Sequence, residues 1–245
     1  MCNSLNALII VSACAIGQQI TFISVLNDAS GMQIRWHGHS CFEFSDGNVT
    51  VVTDPHDGKS IGIRQPRVNA DIVLMSHDHY DHNAARVIGG NHKDHMRHNG
   101  RFECRNMTFY GYPSFHDNEE GKLRGNNTIY KFRMDDITVC HCGDLGDIPG
   151  PKVMEQIKNV DFLFMPVGGT YTIEKDVQKK FIEMVNPRVV VPMHYRIGGL
   201  TIPIESVDDF LEMIPEDYIV YVGNSVDISV DELPEAKECW VFDRN

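Results

Sequence analysis

The sequence predicts a single α/β domain in which two β-sheets lie inside and helices lie outside. Segments rich in β-branched and aromatic residues dominate residues 32–143, and helix-like and strand-like segments alternate after them. No fixed-period repeat and no linker rich in Pro, Gly and Ser divides the chain. With 245 residues, of which 42% are hydrophobic, the chain can bury one sizeable core.

The predicted elements follow in order along the chain. The first strands are MQIRWHG, CFEFSD, NVTVVTD and the buried run DIVLMS, separated by Gly, Asp and Asn. A second strand series reads MTFYGYP, NTIYKFRM and ITVCHCG. After GDLGDIPGP, helices are predicted at KVMEQIKNV, IEKDVQKKFIEMV and ESVDDFLEMI, and strands between them at DFLFMPV and PRVVVPMH.

Residues 1–31 are expected to be an N-terminal extension or vestigial leader, and residues 32–245 the domain. The apolar run in the extension is too short to span a bilayer. VSAC resembles a lipoprotein cleavage box in which Cys14 would carry lipid, but no Lys or Arg precedes it. An extension ahead of a domain that opens at Met32 is therefore favoured, with a lipid anchor as the alternative.

Net charge and cysteine content limit the cellular location and the classes of binding partner that are expected. The formal net charge of −12 argues against nucleic acid, which requires clustered Lys and Arg. The seven cysteines are odd in number and contain no CxxC pair, which is typical of reduced thiols in a cytoplasmic protein. CHCGD could form a soft metal site, but the strand period of two favours two cysteines on one face. A small-molecule substrate is expected, and a homo-oligomer is possible.

Three histidines and two aspartates fall within residues 77–82, directly after DIVLMS. Imidazole and carboxylate suit zinc, and also manganese or iron(II). His77 and His79 can reach one ion, and Asp81 and His82 can hold a second beside it. Four ligands do not complete two sites, so further ligands are expected from distant segments. The candidates are His116, Asp144 and His194.

The motif HDHYDH, followed in order by these three residues, resembles the metallo-β-lactamase-fold superfamily. Further segments resemble the small stand-alone metal-dependent hydrolases related to ascorbate-6-phosphate lactonase. These segments are WHGHSCFEF, TDP, SFHD, RGNNTIY, GDLG, MPVGG and VPMHY. The resemblance covers about residues 32–211 and implies an αββα sandwich with the metals at one edge.

The resemblance also implies a division of the ligands. The first metal would be held by His77, His79 and His116, and the second by Asp81, His82 and His194. Asp144 would bridge both ions, and Asp81, Asp144 and His194 are expected to be catalytic. The ions are expected to be Zn²⁺, with Mn²⁺ or Fe²⁺ as alternatives. True zinc β-lactamases place a cysteine or histidine among the second-site ligands in ways this sequence does not show, so antibiotic hydrolysis is not expected.

Residues around the ligands are assigned roles in the same way. Asp54 is expected to support the histidine loop by hydrogen bonds, and His39 to be either a site wall or a structural residue. Weaker candidates for substrate contact are Lys122, Arg124, Asn126, Tyr171 and Tyr195. His37 and His56 are expected to be structural. A solvated helix or loop face is expected to carry His92, His95 and His98.

The expected function is that of a binuclear metal-dependent hydrolase. Two metals lower the pKa of a bridging water, so that hydroxide can attack a carbonyl or phosphorus centre near neutral pH. Arg124 and Lys122 favour a small anionic ester, lactone or phosphoester as the substrate. One alternative is a nucleic-acid or cyclic-nucleotide phosphodiesterase, although the chain has no room for a second, RNA-gripping domain. The other is a metal-binding protein without turnover, against which the complete ligand set argues.

Overall fold

The computed structural model describes residues 10–15, 18–23 and 31–243 of the chain. It divides into two compact units, Met1–Ser30 and Gly31–Asn245. In the first unit, β1 (Ile10–Ala15) pairs antiparallel with β2 (Gln18–Ile23). The expected leader falls largely outside the described residues, and lipid attachment at Cys14 stays a prediction.

The second unit contains two β-sheets. The six-stranded sheet is built from β3 (Met32–Gly38), β4 (Cys41–Ser45), β5 (Thr50–Thr53), β6 (Ile72–Met75), β7 (Lys93–Met96) and β15 (Ser225–Ile228). The eight-stranded sheet is built from β8 (Gly100–Cys104), β9 (Met107–Phe115), β10 (Asn126–Met134), β11 (Ile137–His141), β12 (Phe162–Pro166), β13 (Val189–Met193), β14 (Ile219–Gly223) and β16 (Glu238–Phe242). Their strand orders are β15-β3-β4-β5-β6-β7 and β14-β16-β13-β12-β11-β10-β9-β8.

Aromatic side chains between the two sheets form the centre of the core. In β4, Phe42 and Phe44 face the eight-stranded sheet, where they meet Phe164 of β12 at ring-centroid distances of 4.6 and 5.1 Å. Phe44 also meets Phe132 of β10 edge-on at 5.3 Å. Truncating such a fully buried phenylalanine to alanine typically removes about 3–5 kcal/mol of stability. The sheets are therefore held face to face as the sequence predicts.

Helices cover the eight-stranded sheet, as expected for crossovers between parallel strands. α1 (Pro151–Ile157) connects β11 to β12, and α2 (Lys175–Val185) connects β12 to β13. The short α3 (Val207–Leu211) follows β13. Because β12 and β13 are buried along their whole length, their continuous apolar sequences match strands that are covered on both faces.

The outer face of the six-stranded sheet is covered differently. Val52, Val73 and Met75 pack there against Ala85 and Ile88 in a second apolar cluster. The segment HNAARVI, which follows the histidine motif, contains a single 3-10 turn, Ala85–Val87. Gly89 and Gly90 follow at once, and Gly90 adopts a φ of 89°, so the chain turns before a helix can propagate. The predicted two-sheet α/β domain is confirmed, with an irregular layer on this side.

Residues 92–98 are the clearest departure from the sequence prediction. Instead of a helix or loop face they contain β7, which pairs in parallel with β6 so that His95 lies opposite Leu74. Pairing with the buried strand β6 makes this polar segment a strand, because a strand at a sheet edge does not need two apolar faces.

Among the described residues, no helix has the length and apolar character needed to cross a membrane.

Candidate metal centre

The expected ligands stand at the ends of strands from both sheets. His116 and His194 directly follow β9 and β13, and Asp144 lies three residues past β11. His77 lies two residues past β6 of the other sheet, and the turn after it carries His79, Asp81 and His82. Strand ends give these side chains a rigid base at one edge of the sandwich.

One carboxylate oxygen lies at the centre of the cluster. Asp144 Oδ2 is 3.1 Å from His194 Nε2, 3.2 Å from His116 Nε2, 3.3 Å from His82 Nε2 and 3.8 Å from His77 Nε2. Asp144 Oδ1 and the Nε2 atoms of His77 and His82 are buried without a hydrogen-bond partner. Buried polar atoms normally have partners, so this convergence of lone pairs fits bound cations with N and O ligands.

The potential ligand atoms fall into three overlapping groups, each within 4.8 Å. The groups are His77/His79/His116, His77/His82/Asp144 and His39/Asp81/His82/His194. The first corresponds to the expected first metal, and the third contains the expected second-site ligands together with His39. His39 Nε2 lies 3.0 Å from Asp81 Oδ2, so His39 contacts a candidate ligand directly.

The electrostatics of the cluster favour a positive charge beside the carboxylates. Burial alone would raise the pKa of Asp144, but His194 and His82 outweigh it and hold that pKa well below its usual range. Burial alone would lower the pKa of His82, yet Asp144 and Asp81 raise it well above the ordinary value. For His39, burial and His194 dominate and lower the pKa to about 4. A metal cation would provide the positive charge that otherwise comes from a proton on His82.

Asp54 orients His82 by a direct hydrogen bond and His77 by way of Ser76. It accepts hydrogen bonds from Ser76 N (2.7 Å), Ser76 Oγ (2.7 Å) and His82 Nδ1 (3.1 Å). Since the Ser76 hydroxyl donates to Asp54, its oxygen accepts from His77 Nδ1 at 2.9 Å. Both imidazoles then carry a proton on Nδ1 and direct Nε2 toward Asp144, so Nε2 is the ring atom that a metal would bind.

Asn127 has a comparable role that the sequence prediction missed. This buried side chain accepts from Asp144 N at 3.1 Å and donates to Ser114 Oγ and Cys142 O, both at 2.8 Å. A side chain on neighbouring Gly143 would collide with Asn127 Oδ1 and Ser76 at 2.4 Å, and the φ of 56° also favours glycine there. The sequence prediction chose the adjacent Asn126, which is exposed.

Three residues of the site adopt left-handed backbone conformations directly after strands. The φ angles are 56° for His39, 40° for Asp54 and 53° for His194. Such conformations are uncommon in non-glycine residues and are tolerated where surrounding structure enforces them. Here His194 N donates to His39 O at 3.2 Å, and the centroids of the two rings lie 4.2 Å apart. These contacts connect the two sheets at this point.

A cavity of about 390 Å³ opens above the ligands. Its lining beyond the metal cluster consists of Tyr80, Arg124, Tyr171, Thr201, Ile202 and Pro203. The Arg124 guanidinium lies 5.5 Å from the centre of the Tyr171 ring, within cation–π range. Two of the weak substrate candidates, Arg124 and Tyr171, are thus brought to the ligands.

The other three candidates do not reach this cavity. Lys122 and Asn126 are exposed and do not line it. Tyr195 is buried, and its hydroxyl donates to Phe242 O at 3.1 Å, so it supports the fold rather than the cavity wall.

The remaining histidines and cysteines lie outside the candidate metal groups of the described residues. His37 Nε2 lies 2.8 Å from Glu43 Oε2, and His56 Nε2 lies 3.2 Å from His37 O. The cysteines of CHCGD, Cys140 and Cys142, both pack into the main core.

Comparisons with known proteins show the family and the fold of this chain. The family model described as the β-lactamase superfamily domain matches residues 33–194. The solved structure of a candidate Zn-dependent hydrolase of the metallo-β-lactamase superfamily from Thermotoga maritima is 34% identical. The match covers 86% of this chain and 98% of that chain, with a TM-score of 0.70.

Two further relatives extend the comparison. A metal-dependent hydrolase of Carboxydothermus hydrogenoformans is 29% identical over 67% of this chain and 84% of its own length. A candidate metal-dependent hydrolase from Parabacteroides distasonis shares the fold at 19% identity, with a TM-score of 0.60 over 76% of this chain and 89% of that chain.

Proposed function

This chain belongs to the β-lactamase superfamily and is a metal-dependent hydrolase, and on that premise we propose that it uses two divalent metal ions to hydrolyse a small anionic ester, lactone or phosphoester. The observation that carries this proposal is the position of Asp144 Oδ2. It lies between 3.1 and 3.8 Å from the Nε2 atoms of four histidines, so one carboxylate is shared by both halves of the ligand cluster.

The ligand assignment follows the three groups of atoms. His77, His79 and His116 would hold one ion, and Asp81, His82 and His194 the other, with Asp144 shared. Zn²⁺ suits this set of imidazole and carboxylate ligands best, and Mn²⁺ or Fe²⁺ suits it as well. Divalent ions supply Lewis acidity, which activates water and polarises the bond to be hydrolysed.

The protein side chains contribute orientation and charge. Asp54 accepts from Nδ1 of His82 directly and from His77 by way of Ser76, which leaves the Nε2 atoms of both rings to the metals. Asn127 holds the backbone of Asp144, and Asp81 is held by His39. None of these contacts requires a ligand movement, so the site is preorganised for the reaction.

The cavity wall indicates the substrate class. A volume of about 390 Å³ admits a small molecule. Arg124 offers a planar fork of donors suited to a phosphate or carboxylate, and Tyr171 restricts the position of that fork. Tyr80, Ile202 and Pro203 provide an apolar surface for the uncharged part of the substrate.

A substrate screen with the metal-loaded protein tests the proposed function. The panel contains lactones, carboxylic esters, phosphomonoesters, phosphodiesters and RNA. Turnover of a small anionic compound is expected for the parent and for Asp78→Ala, whose exposed carboxylate lies outside the ligand groups, but not for Asp144→Ala. Turnover of RNA alone would indicate a nuclease, and no turnover with any metal would indicate a binding protein; either result contradicts the proposal.

Arg124→Ala tests the anionic part of the substrate. We expect kcat/KM on the anionic substrate to fall about 10- to 150-fold, the scale of one charge-assisted hydrogen bond of about 1.5–3 kcal/mol. Metal content and activity on a neutral analogue should not change. Arg101→Ala, which removes an exposed arginine paired with Glu103, serves as the control. Equal kinetics of parent and Arg124→Ala would exclude an anion contact at this position.

A further inference from the structure

A second, larger cavity of about 820 Å³ shares no lining residue with the metal cavity. It is formed by the middle of β3, the ends of β14 and β16, and the segments around residues 64–67 and 195–198. It contains none of the metal-ligand groups among the described residues. Its size is within the range of small-molecule sites.

The charge of this cavity is opposite to that of the protein. The chain carries a formal net charge of −12, yet three of its arginines, Arg35, Arg64 and Arg67, line this cavity. Asp243 is the one acidic residue among the described lining residues. Glu43, close behind the wall, is shared between His37 at 2.8 Å and Arg35 at 4.0 Å. Arg67 forms no ion pair with any described residue, so its guanidinium is available to a ligand.

An aromatic ring is exposed on the same cavity. Tyr221 of β14 is 72% exposed, whereas the lining rings of Trp36, Tyr195 and Phe242 are 2%, 3% and 2% exposed. The buried rings are held by the fold, since Trp36 Nε1 donates to His39 O and Tyr195 Oη to Phe242 O. Tyr221 therefore offers a flat face on which a planar ring can stack.

The wall between these groups is preformed. Asn224 and Trp36 exchange two hydrogen bonds, from Trp36 N to Asn224 O at 3.0 Å and from Asn224 Nδ2 to Trp36 O at 2.9 Å. Asp243 N donates to Gly223 O at 2.8 Å. These contacts fix the strand that carries Tyr221 beside the strand that carries Arg35, and a rigid wall lowers the entropy lost on binding.

From these features we propose that the cavity is a binding site, separate from the metal centre, for a small organic phosphate that carries a flat ring, as a mononucleotide does. The arginines bind the phosphate through paired N–H donors, and Tyr221 stacks on the ring. Net local positive charge explains how an acidic protein attracts such an anion.

Titration calorimetry on the metal-loaded full chain tests this site. The probe is the phosphonate analogue of AMP, in which carbon replaces the ester oxygen and blocks hydrolysis. Adenosine, without the anion, and methylphosphonate, without the ring, should each bind at least about tenfold more weakly. The double variant Arg35→Gln/Arg67→Gln should weaken the probe by at least about tenfold, whereas Arg124→Gln in the metal cavity should leave this binding event intact.

Tyr221 is tested separately. Tyr221→Ala should weaken the AMP analogue but not methylphosphonate, and Tyr218→Ala, which removes an exposed tyrosine outside the cavity, should weaken neither. Unchanged metal content and near-UV circular dichroism show that the variants are folded. The proposal is overturned if the probe does not bind, if adenosine binds equally well, or if only Arg124→Gln abolishes binding.

Discussion

Among the single residues, Asp54 lies outside the candidate ligand groups but holds two of their histidines through hydrogen bonds, directly or by way of Ser76. Its carboxylate accepts from three donors, Ser76 N, Ser76 Oγ and His82 Nδ1. Through Ser76 it also sets the proton position on His77. A carboxylate can satisfy all three donors, whereas an amide of the same shape has one acceptor oxygen and a donor group in place of the other.

We therefore expect Asp54→Asn to keep the fold but to weaken metal binding about 10- to 100-fold, the scale typical for outer-shell partners of metal ligands. Competition with a graded series of chelators measures this change. Asp57→Asn is the matched control, because Asp57 accepts from Ser60 and Arg86 but contacts no ligand histidine. Equal metal affinities for Asp54→Asn and Asp57→Asn would show that the Asp54 contacts do not act on the metals.

The sequence predicts which candidate ligands come together better than it predicts their surroundings, for a physical reason. Metal ligands come from few residue types, chiefly His, Cys, Asp and Glu, so HDHYDH and the downstream residues are visible in the chain itself. Asn126 and Asn127 are chemically identical, and only the structure shows that Asn127 is buried beneath Asp144. Tyr195 follows the candidate ligand His194 in sequence, but its side chain is buried and its hydroxyl donates to Phe242 O.

Among the connecting elements, the loop at residues 117–125 positions Arg124. The Asp117 carboxylate accepts from four backbone N–H groups, those of Glu119, Gly121, Leu123 and Arg124. Burial alone would raise the pKa of Asp117, but these four donors hold it below the ordinary value of 3.8. One side chain thus closes the loop that carries the proposed anion contact.

Asp117→Ala is expected to speed hydrogen exchange at these four amides, because their shared acceptor is lost. Glu119→Ala removes an exposed side chain of the same loop and should leave the protection of these amides from hydrogen exchange unchanged. Because the pKa of Asp117 is lowered in the folded protein, its carboxylate stabilises the fold fully above pH 3.8. This stabilisation is lost as the pH falls through the lower pKa of the folded state. Unchanged exchange in Asp117→Ala, measured by mass spectrometry or NMR, would contradict this role.

Strands show where sequence patterns succeed and fail at this scale. β3 alternates buried Met32, Ile34 and Trp36 with more exposed residues, and the apolar run of β6 is fully buried, so periodicity or continuous hydrophobicity reveals them. β7, β8, β14 and β15 lie at or beside sheet edges and contain many exposed residues. Pairing partners distant in sequence define β7, β14 and β15 and are invisible to a local pattern, whereas β8 pairs with the adjacent β9.

For the whole molecule, the division at Gly31 leads to a test of the N-terminal segment. All proposed metal ligands and both main sheets lie in the unit Gly31–Asn245. A chain that begins at Met32 is therefore expected to be soluble, to unfold cooperatively and to bind as much metal as the full chain. Circular dichroism melting and elemental analysis compare the two, and an insoluble or metal-free product would show that residues 1–31 belong to the core.

The most direct test of the proposed binuclear centre is the number of metal ions per chain. Elemental analysis after reconstitution with Zn²⁺, Mn²⁺ or Fe²⁺ and removal of free metal gives this number for the parent and for Asp144→Ala. Because the ligand groups form two halves that share Asp144, we expect about two ions in the parent and a loss that affects both ions in the variant. A parent protein that never exceeds one ion per chain with any of the three metals would contradict the binuclear centre.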